Sequence, residues 1–268
     1  MIDKVEALLR DVAAAAVLPL FQALTEDQIV AKGPGDLVTA ADREAEAQLT
    51  AALAALRPGS RVVGEEAASA DPSLLTLVAE KGEVWLVDPV DGTANFVAGQ
   101  EPFAMMVALL RDGQTVASWI LDPLSGTMAV AELGAGAYLD GARVTAPTAH
   151  PPVERLRGPS FTRHVPVGSG TAVSQAKPPA AGLLSGHNCA GYEYPAVVRD
   201  EQNFVHFGRT LPWDHAPGVL FVEEAGGVAW RLDGTPYQPG DGRTGLLAAQ
   251  NQYVWDAVRT TLLADFRD

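Results

Sequence analysis

Trp85-Leu86-Val87-Asp88-Pro89-Val90-Asp91-Gly92-Thr93-Ala94-Asn95-Phe96 is the stretch from which the rest of the chain is read. The apolar run Val84 to Val87 predicts a buried strand, which delivers two carboxylates, three residues apart, into a tight turn. Proline after Asp88 restricts that residue to an extended backbone. Gly92 supplies the positive φ of a sharp turn. Thr93 and the amides after it open a short helix, whose unpaired N–H groups attract anions. Two carboxylates beside an anion cradle are in conflict unless cations sit between them. Carboxylate oxygens suit hard ions such as Mg²⁺, which usually shares its shell with substrate phosphate. An Asp-Gly pair alone reads more often as a plain turn, so the functional reading rests on the whole string.

Other acidic elements accompany it in order. Asp36-Leu37-Val38-Thr39-Ala40-Ala41-Asp42 and Val62-Val63-Gly64-Glu65-Glu66 stand upstream. Leu121-Asp122-Pro123 and the stretch Gly134 to Gly141 lie between, and Leu211-Pro212-Trp213-Asp214-His215-Ala216-Pro217-Gly218 follows. Together these elements resemble the motifs of the inositol monophosphatase family, Mg²⁺-dependent and lithium-sensitive phosphatases. The resemblance runs from Asp36 onward and is weakest across Thr148 to Leu183. It implies a layered α-β-α-β-α sandwich. Residues 1–147 would form an N-terminal α+β subdomain with most metal ligands. Residues 148–268 would form a C-terminal α/β subdomain with Asp214 and the substrate-specificity elements.

Motif position, under that resemblance, implies the roles. Glu65, Asp88 and the carbonyl of Val90 bind one Mg²⁺. Asp88, Asp91 and Asp214 bind a second, with Asp88 bridging. Glu65 and Thr93 orient the attacking water, and the amides of Gly92 and Thr93 hold phosphate. Asp42 fits a third, weaker metal, and equally fits a helix-capping partner of Thr39. Glu66 is left to the site's periphery or the surface. Two cations roughly 3.5–4 Å apart screen phosphate charge, acidify a bound water and stabilise the leaving oxygen. Resemblance further implies a homodimer, and inhibition by Li⁺ taking the second Mg²⁺ position.

The substrate stays open. In the family an acidic residue ending the strand before Trp-Asp contacts sugar hydroxyls. Here the ungapped match puts Phe207 at that position, and residues 204–212 contain no Asp or Glu. Arg209 stands close by; its donor fork suits a carboxylate or second phosphate, and a surface role equally. Ala190 falls where the family's substrate loop presents backbone amides. Inositol phosphate, histidinol phosphate, a sugar bisphosphate and a nucleotide 3′-phosphate are all candidates. A regulatory binding protein on a phosphatase fold is the alternative of another class, since some relatives bind transcription or RNA components. A purely structural metal protein would leave Thr93 and the anion cradle without purpose.

Bulk composition sets limits on this. The chain has 268 residues, is 47% hydrophobic and carries a net charge of −14 with no basic cluster. The length suits one large or two closely packed domains, and the acidity argues against a nucleic-acid partner. No apolar run approaches the ~18 residues of a membrane span. The run Val12 to Leu20 follows Glu6, Arg10 and Asp11 at helical spacing and lacks signal-peptide features. A soluble cytoplasmic protein acting on a small phosphorylated metabolite is expected, with no membrane partner. Cys189 is the only cysteine, which excludes an internal disulfide and predicts a small buried side chain. His150, His164, His187, His206 and His215 show no metal-ligand spacing. His215 is expected at the surface near the site, and His187 and His206 in packing roles. No Gly-x-Ser-x-Gly element or P-loop is present.

Periodicity predicts helices over residues 4–24 and 39–56, with Gly33-Pro34-Gly35 breaking the pattern between them. It predicts a strand at Val62-Val63, a helix near Ser73 to Glu80 and a strand over 83–88. An antiparallel meander follows from 105–110, 115–121 and 127–131. Thr148 to Pro152 is the candidate junction. Beyond it come strands near Leu183-Leu184 and Asn203 to His206, helices near Asp214 to Ala225 and Gln252 to Asp265, and a loop at Pro178-Pro179. The fold class is α+β or α/β.

Overall fold

A computed structural model describes residues 1–33, 36–161, 182–264 and 266. The expectations for Pro34, Gly35, His164 and Pro178-Pro179 lie outside these residues. The first half contains a hairpin, β1 (Ile29–Gly33) and β2 (Asp36–Thr39), and a sheet of β3 (Arg61–Gly64), β4 (Glu83–Asp91), β5 (Ala104–Arg111), β6 (Gln114–Leu121), β7 (Met128–Glu132), β8 (Gly136–Leu139) and β9 (Ala142–Val144). These seven strands pair in sequence order, with β3 parallel to β4 and the others antiparallel. The second sheet comprises β10 (Arg157–Phe161), β11 (Gly182–Leu184), β12 (Phe204–Phe207), β13 (Val228–Arg231) and β14 (Leu246–Ala249), in the order β11-β10-β12-β14-β13. The helices are α1 (Ile2–Val12), α2 (Ala40–Leu56), α3 (Glu65–Ala70), α4 (Thr93–Val97), α5 (Ala190–Val198), α6 (Pro212–Glu224) and α7 (Gln252–Thr261).

Three core clusters order these elements into five layers. Strand side chains alternate between faces. Trp85, Val87, Val107 and Trp119 therefore face α1 and α2, packing with Val5, Leu9, Leu49 and Leu53. Leu86, Met106, Ala108 and Ile120 point the other way, onto Tyr194 and Val197 of α5 and Trp213 and Leu220 of α6. Val205, Phe207 and Ala248 of the second sheet close over those two helices. That sheet's far face, Phe204, Leu247 and Ala249, buries Val254, Trp255 and Val258 of α7. The result is the α-β-α-β-α sandwich. A sheet covered on both faces explains why β4 reads as a continuous apolar run rather than an alternating one. Among the described residues no helix is long and apolar enough to cross a membrane.

Several elements differ from the sequence expectation. The helix read over 4–24 ends at Val12 and continues as a π turn, Ala13–Val17, and a 3-10 turn, Leu18–Leu20, that accommodates Pro19. The helix near Ser73 is a run of 3-10 turns, Pro72–Ala79. Strand β4 does not stop at Asp88 but runs to Asp91, and the turn begins at Gly92. Helix α5 and strands β10, β13 and β14 were not expected.

Candidate active site

Asp88 and Asp91 stand an odd number of residues apart, so a regular strand would point them to opposite faces. The register resolves this. Asp88 pairs with Met106 and Asp91 with Ala104, so three steps on β4 oppose two on β5. The extra residue is a β-bulge, which re-aims the strand end, and both carboxylates line one cleft. Gly92 then takes φ +85°, and a Cβ there would lie 3.1 Å from the carbonyl oxygen of Pro102. A side chain is thus strained by conformation and crowded in space at the residue that turns β4 into α4. Thr93, the first residue of α4, donates its hydroxyl to the carbonyl of Val90 at 2.9 Å.

The cleft has a volume of about 530 Å³ and lies where the C-terminal end of β4, the start of α5 and the start of α6 meet. Glu65, Asp88, Val90, Asp91, Gly92, Thr93, Ala190, Arg209 and Asp214 all line it. Every sequence-selected site residue except Asp42 is therefore brought together. Glu65 opens α3 directly after β3, and Asp214 sits in the first turn of α6.

Burial dominates the electrostatics. Asp88 is 2% exposed, and its Oδ1 has no hydrogen-bond partner. Burial first, then the charges of Glu65, Asp91 and Asp214, push its pKa well above the usual carboxylate range. Burial likewise raises Asp91 to about 6, although the amide of Gly191 donates to its Oδ2 at 2.6 Å. Asp214 is raised well above the ordinary value by burial and by Glu65 and Asp91, against the pull of Arg209 and a hydrogen bond shared with Asp88. An ionised carboxylate only accepts, so two carboxyl groups in hydrogen bond require a proton, or a cation in its place.

Lys32 answers part of this charge. Its Nζ lies 2.8 Å from Glu65 Oε1 and 2.9 Å from Glu66 Oε1, bringing hairpin strand β1 over the start of α3. Burial works against the ammonium, yet the two glutamates outweigh it and raise the Lys32 pKa. Glu66, left to the periphery by sequence, is the second partner of this pair. Glu46 on α2 accepts from the amides of Glu66 and Ala67 at 2.8 Å each, capping the helix that carries Glu65. Sequence reasoning found neither Lys32 nor Glu46. Both reach the site from other elements, and only Glu46's position on the buried face of α2 could have signalled it.

Asp42 caps α2. Thr39 Oγ1 accepts from the amides of Ala41 and Asp42, and Asp42 Oδ2 accepts from the Thr39 amide at 2.7 Å. Its Oδ1 is buried without a partner, and burial raises its pKa to about 6. His215 corrects the expectation of a surface residue. It is 2% exposed, with Nδ1 2.8 Å from the Tyr194 hydroxyl and Nε2 3.0 Å from the carbonyl oxygen of Arg209. Burial lowers its pKa to about 3, so it is neutral. His206 faces away from the cleft toward Ser160 and Phe266, and His187 packs on Tyr192. Cys189 is buried and lines the cleft, its thiol donating to the Asp91 carbonyl oxygen at 3.7 Å.

No three of the described carboxylate, imidazole or thiol groups close into a ready-made metal cage; Glu65 is drawn to Lys32 instead. The donor set nonetheless fits hard cations. It is all oxygen, buried at Asp88 and half-buried at Glu65, Asp91 and Asp214, mutually repelling, and contains a free carboxylate oxygen on Asp88.

Known proteins resemble this chain in sequence and in fold. The chain is 31% identical over 211 residues to an inositol-1-monophosphatase of Mesorhizobium japonicum, covering 77% of this chain and 76% of that protein. It is 28% identical over 245 residues to the Nus factor SuhB of Escherichia coli, covering 88% and 85%. Among solved structures, the extragenic suppressor protein suhB of Bartonella henselae superposes with a TM-score of 0.79 at 26% identity, over 97% of this chain and 96% of that one. Inositol monophosphatase-II of Staphylococcus aureus gives 0.79 at 22% identity, over 99% and 94%, and speaks to the fold alone. A model described as the inositol monophosphatase family matches residues 1–267. With the ordered acidic motifs meeting in one cleft of a five-layer sandwich, the chain belongs to the inositol monophosphatase family.

Proposed function

We propose that the protein is a Mg²⁺-dependent phosphomonoesterase acting on a small phosphorylated metabolite. The observation that supports this most is the convergence of Glu65, Asp88, Asp91 and Asp214 on one cleft beside Thr93. Glu65, Asp88 and the Val90 carbonyl would hold one ion; Asp88, Asp91 and Asp214 would hold a second. Asp42, with its unpartnered Oδ1, is a candidate for a third. When bound, such ions screen phosphate charge, acidify a water and stabilise a leaving oxygen. Glu65 and Thr93 orient the attacking water, the Thr93 hydroxyl being fixed by the Val90 carbonyl. The amides of Gly92 and Thr93 receive phosphate oxygens, and Ala190 borders the substrate at the start of α5. The Gly191 amide fixes the rotamer of Asp91. The rest of the reading is a cytoplasmic homodimer with subdomains meeting at 147/148, and inhibition by Li⁺, whose half charge holds phosphate without supporting turnover.

Relatives named Nus factor support a second reading, a regulatory binding protein. It needs none of the four carboxylates. Release of inorganic phosphate from a panel of phosphorylated metabolites, with Mg²⁺ and after exhaustive chelation, separates the two. Turnover that requires Mg²⁺ is expected. Turnover surviving chelation, or none on any compound, counts against the phosphatase reading.

A further inference from the structure

We propose that Arg231 is a positioning residue for the proposed second ion site. Its buried guanidinium ties Thr210 to Asp241, and this fixes the start of α6 and with it Asp214. The inference rests on the phosphatase reading, which gives Asp214 its ion.

Asp214 stands in the first turn of α6, and no side chain caps that turn. The N-cap position is Leu211, a poor capping residue, and Pro212 follows with no N–H of its own. The place of Asp214 is therefore set by residues 208–211, the segment that joins β12 to α6. Three fastenings hold this segment. The Gly208 carbonyl accepts from the Gly245 amide at 2.9 Å. The Arg209 carbonyl accepts from His215 Nε2 at 3.0 Å, which leaves Nδ1 to accept from the Tyr194 hydroxyl. The third is Thr210, whose Oγ1 accepts from Arg231 Nη1 at 2.9 Å and donates to the Arg243 carbonyl at 2.5 Å. Only this third fastening runs through a side chain outside α6, and Arg231 supplies it from the end of β13.

Arg231 is 1% exposed, and a guanidinium is almost never buried so fully unless it is paired. Its Nη2 and Nε meet Asp241 Oδ1 and Oδ2 at 2.6 and 3.3 Å, and its guanidinium carbon lies 4.8 Å from the centre of the Tyr237 ring. Asp241 also accepts from the Arg243 amide at 3.0 Å, so the ion pair orders the same turn whose carbonyl receives the Thr210 hydroxyl. Arg231, Asp241, Arg243 and Thr210 thus form a closed ring of contacts between the β13–β14 connection and the start of α6. For stability alone, an apolar side chain of similar volume would serve as well as a buried ion pair. It could not hold a hydroxyl on one side and a carboxylate on the other, which the planar donor fork does.

Thr210→Val removes the hydroxyl and keeps the branched shape at a half-buried position. Calorimetric binding of Mg²⁺ is expected to weaken roughly 10-fold, the low end of the ~10–100-fold typical of partners that orient metal ligands. The Mg²⁺ concentration for half-maximal phosphate release rises by the same factor. Thr210→Ser keeps the hydroxyl and binds Mg²⁺ as the wild type does. Arg231→Lys supplies a point charge that cannot span Thr210 and Asp241 together, so it weakens binding to the same degree as Thr210→Val. Adding Thr210→Val to Arg231→Lys then costs no further affinity, because both changes break one contact. Melting temperature in chelator is read alongside. If Arg231→Lys lowers that temperature but leaves Mg²⁺ affinity unchanged, Arg231 is merely structural and the proposal is overturned. Thr210→Val that binds Mg²⁺ as tightly as the wild type, or additive losses in the double variant, overturns it too. In each of these cases the wild type still binds Mg²⁺ and the phosphatase reading stands. Should Arg231→Lys not fold, the Thr210→Val and Thr210→Ser pair decides by itself. No Mg²⁺ binding by the wild type removes the phosphatase reading, and the proposal falls with it.

Discussion

Asp91 is asked to be two things at once, a half-buried charge in a cluster of like charges and the acceptor that ties β4 to the start of α5. Asp91→Asn separates these duties. Asparagine keeps an acceptor for the Gly191 amide but removes charge from the proposed second ion site. Turnover is expected to fall by at least ~10²-fold, beyond the ~10–100-fold typical of outer-shell partners. Stability should move the other way in metal-free protein. The folded-state pKa of Asp91 is about 6 against an ordinary 3.8. Its ionised form is therefore fully disfavoured by folding above pH 6, and the penalty fades as pH falls toward 4. Urea melts in chelator should show the variant more stable by up to about 3 kcal/mol at pH 8, with the gain vanishing near pH 4. A variant equally or less stable at pH 8 would mean the carboxylate is compensated by a partner other than metal. At this scale the charges were legible because the motif residues carry them. Lys32 and Glu46 were not, because each acts 20 or more residues from its partner in the chain, across elements whose contact no local pattern encodes.

Helices α5 and α6 lie side by side between the sheets, and Gly218 sets how closely. A Cβ there would fall 1.9 Å from Tyr194 Cδ2, the ring whose hydroxyl holds His215. Gly218→Ala must push the helices apart, and overpacking of this kind costs about 1–3 kcal/mol. Since α6 carries Asp214 and α5 carries Gly191, kcat should drop together with the melting temperature. A folded, fully active Gly218→Ala protein would show that the helix pair has slack. Long periodic elements such as α2, the β5–β7 meander and α7 were readable from sequence. Helix α5 was not, because Pro195 and Gly191 lie inside it and break the helical signal. β10 contains Gly158 and Pro159, and β14 is a four-residue run buried on both faces, too short to carry a period. The bulge in β4 was hidden for a different reason. Asp-Pro-Val-Asp-Gly is a good turn sequence, and only pairing with β5 reveals that the strand continues through it.

On the scale of the whole molecule, the site is a seam. Its carboxylates come from β3–α3, from β4 and from α6, and the two sheets close over the helices between them. An ion binding only the folded arrangement stabilises everything that converges there. At Mg²⁺ about 100-fold above its dissociation constant, ~2.7 kcal/mol is added, or a rise of roughly 5–10 °C in melting temperature. Calorimetric scans across a Mg²⁺ series check this, and Asp214→Asn should blunt the rise. No shift in the wild type would mean the carboxylates do not bind the ion in the folded state. The layer order was implied by the resemblance, whereas the pairing of β10 with β12 that aligns Phe161 with Phe207 is a long-range event that residue patterns do not announce. The crowded, mutually repelling carboxylates carry one more consequence, for the protein's lifetime in a cell. Degradation of a folded chain follows how often it opens, and with ions bound at the proposed site opening would grow easier as divalent ions become scarce. If the proposed ions bind, the abundance of this protein would be coupled to the ionic supply around it, and starvation for the ion would remove the protein as well as idle it.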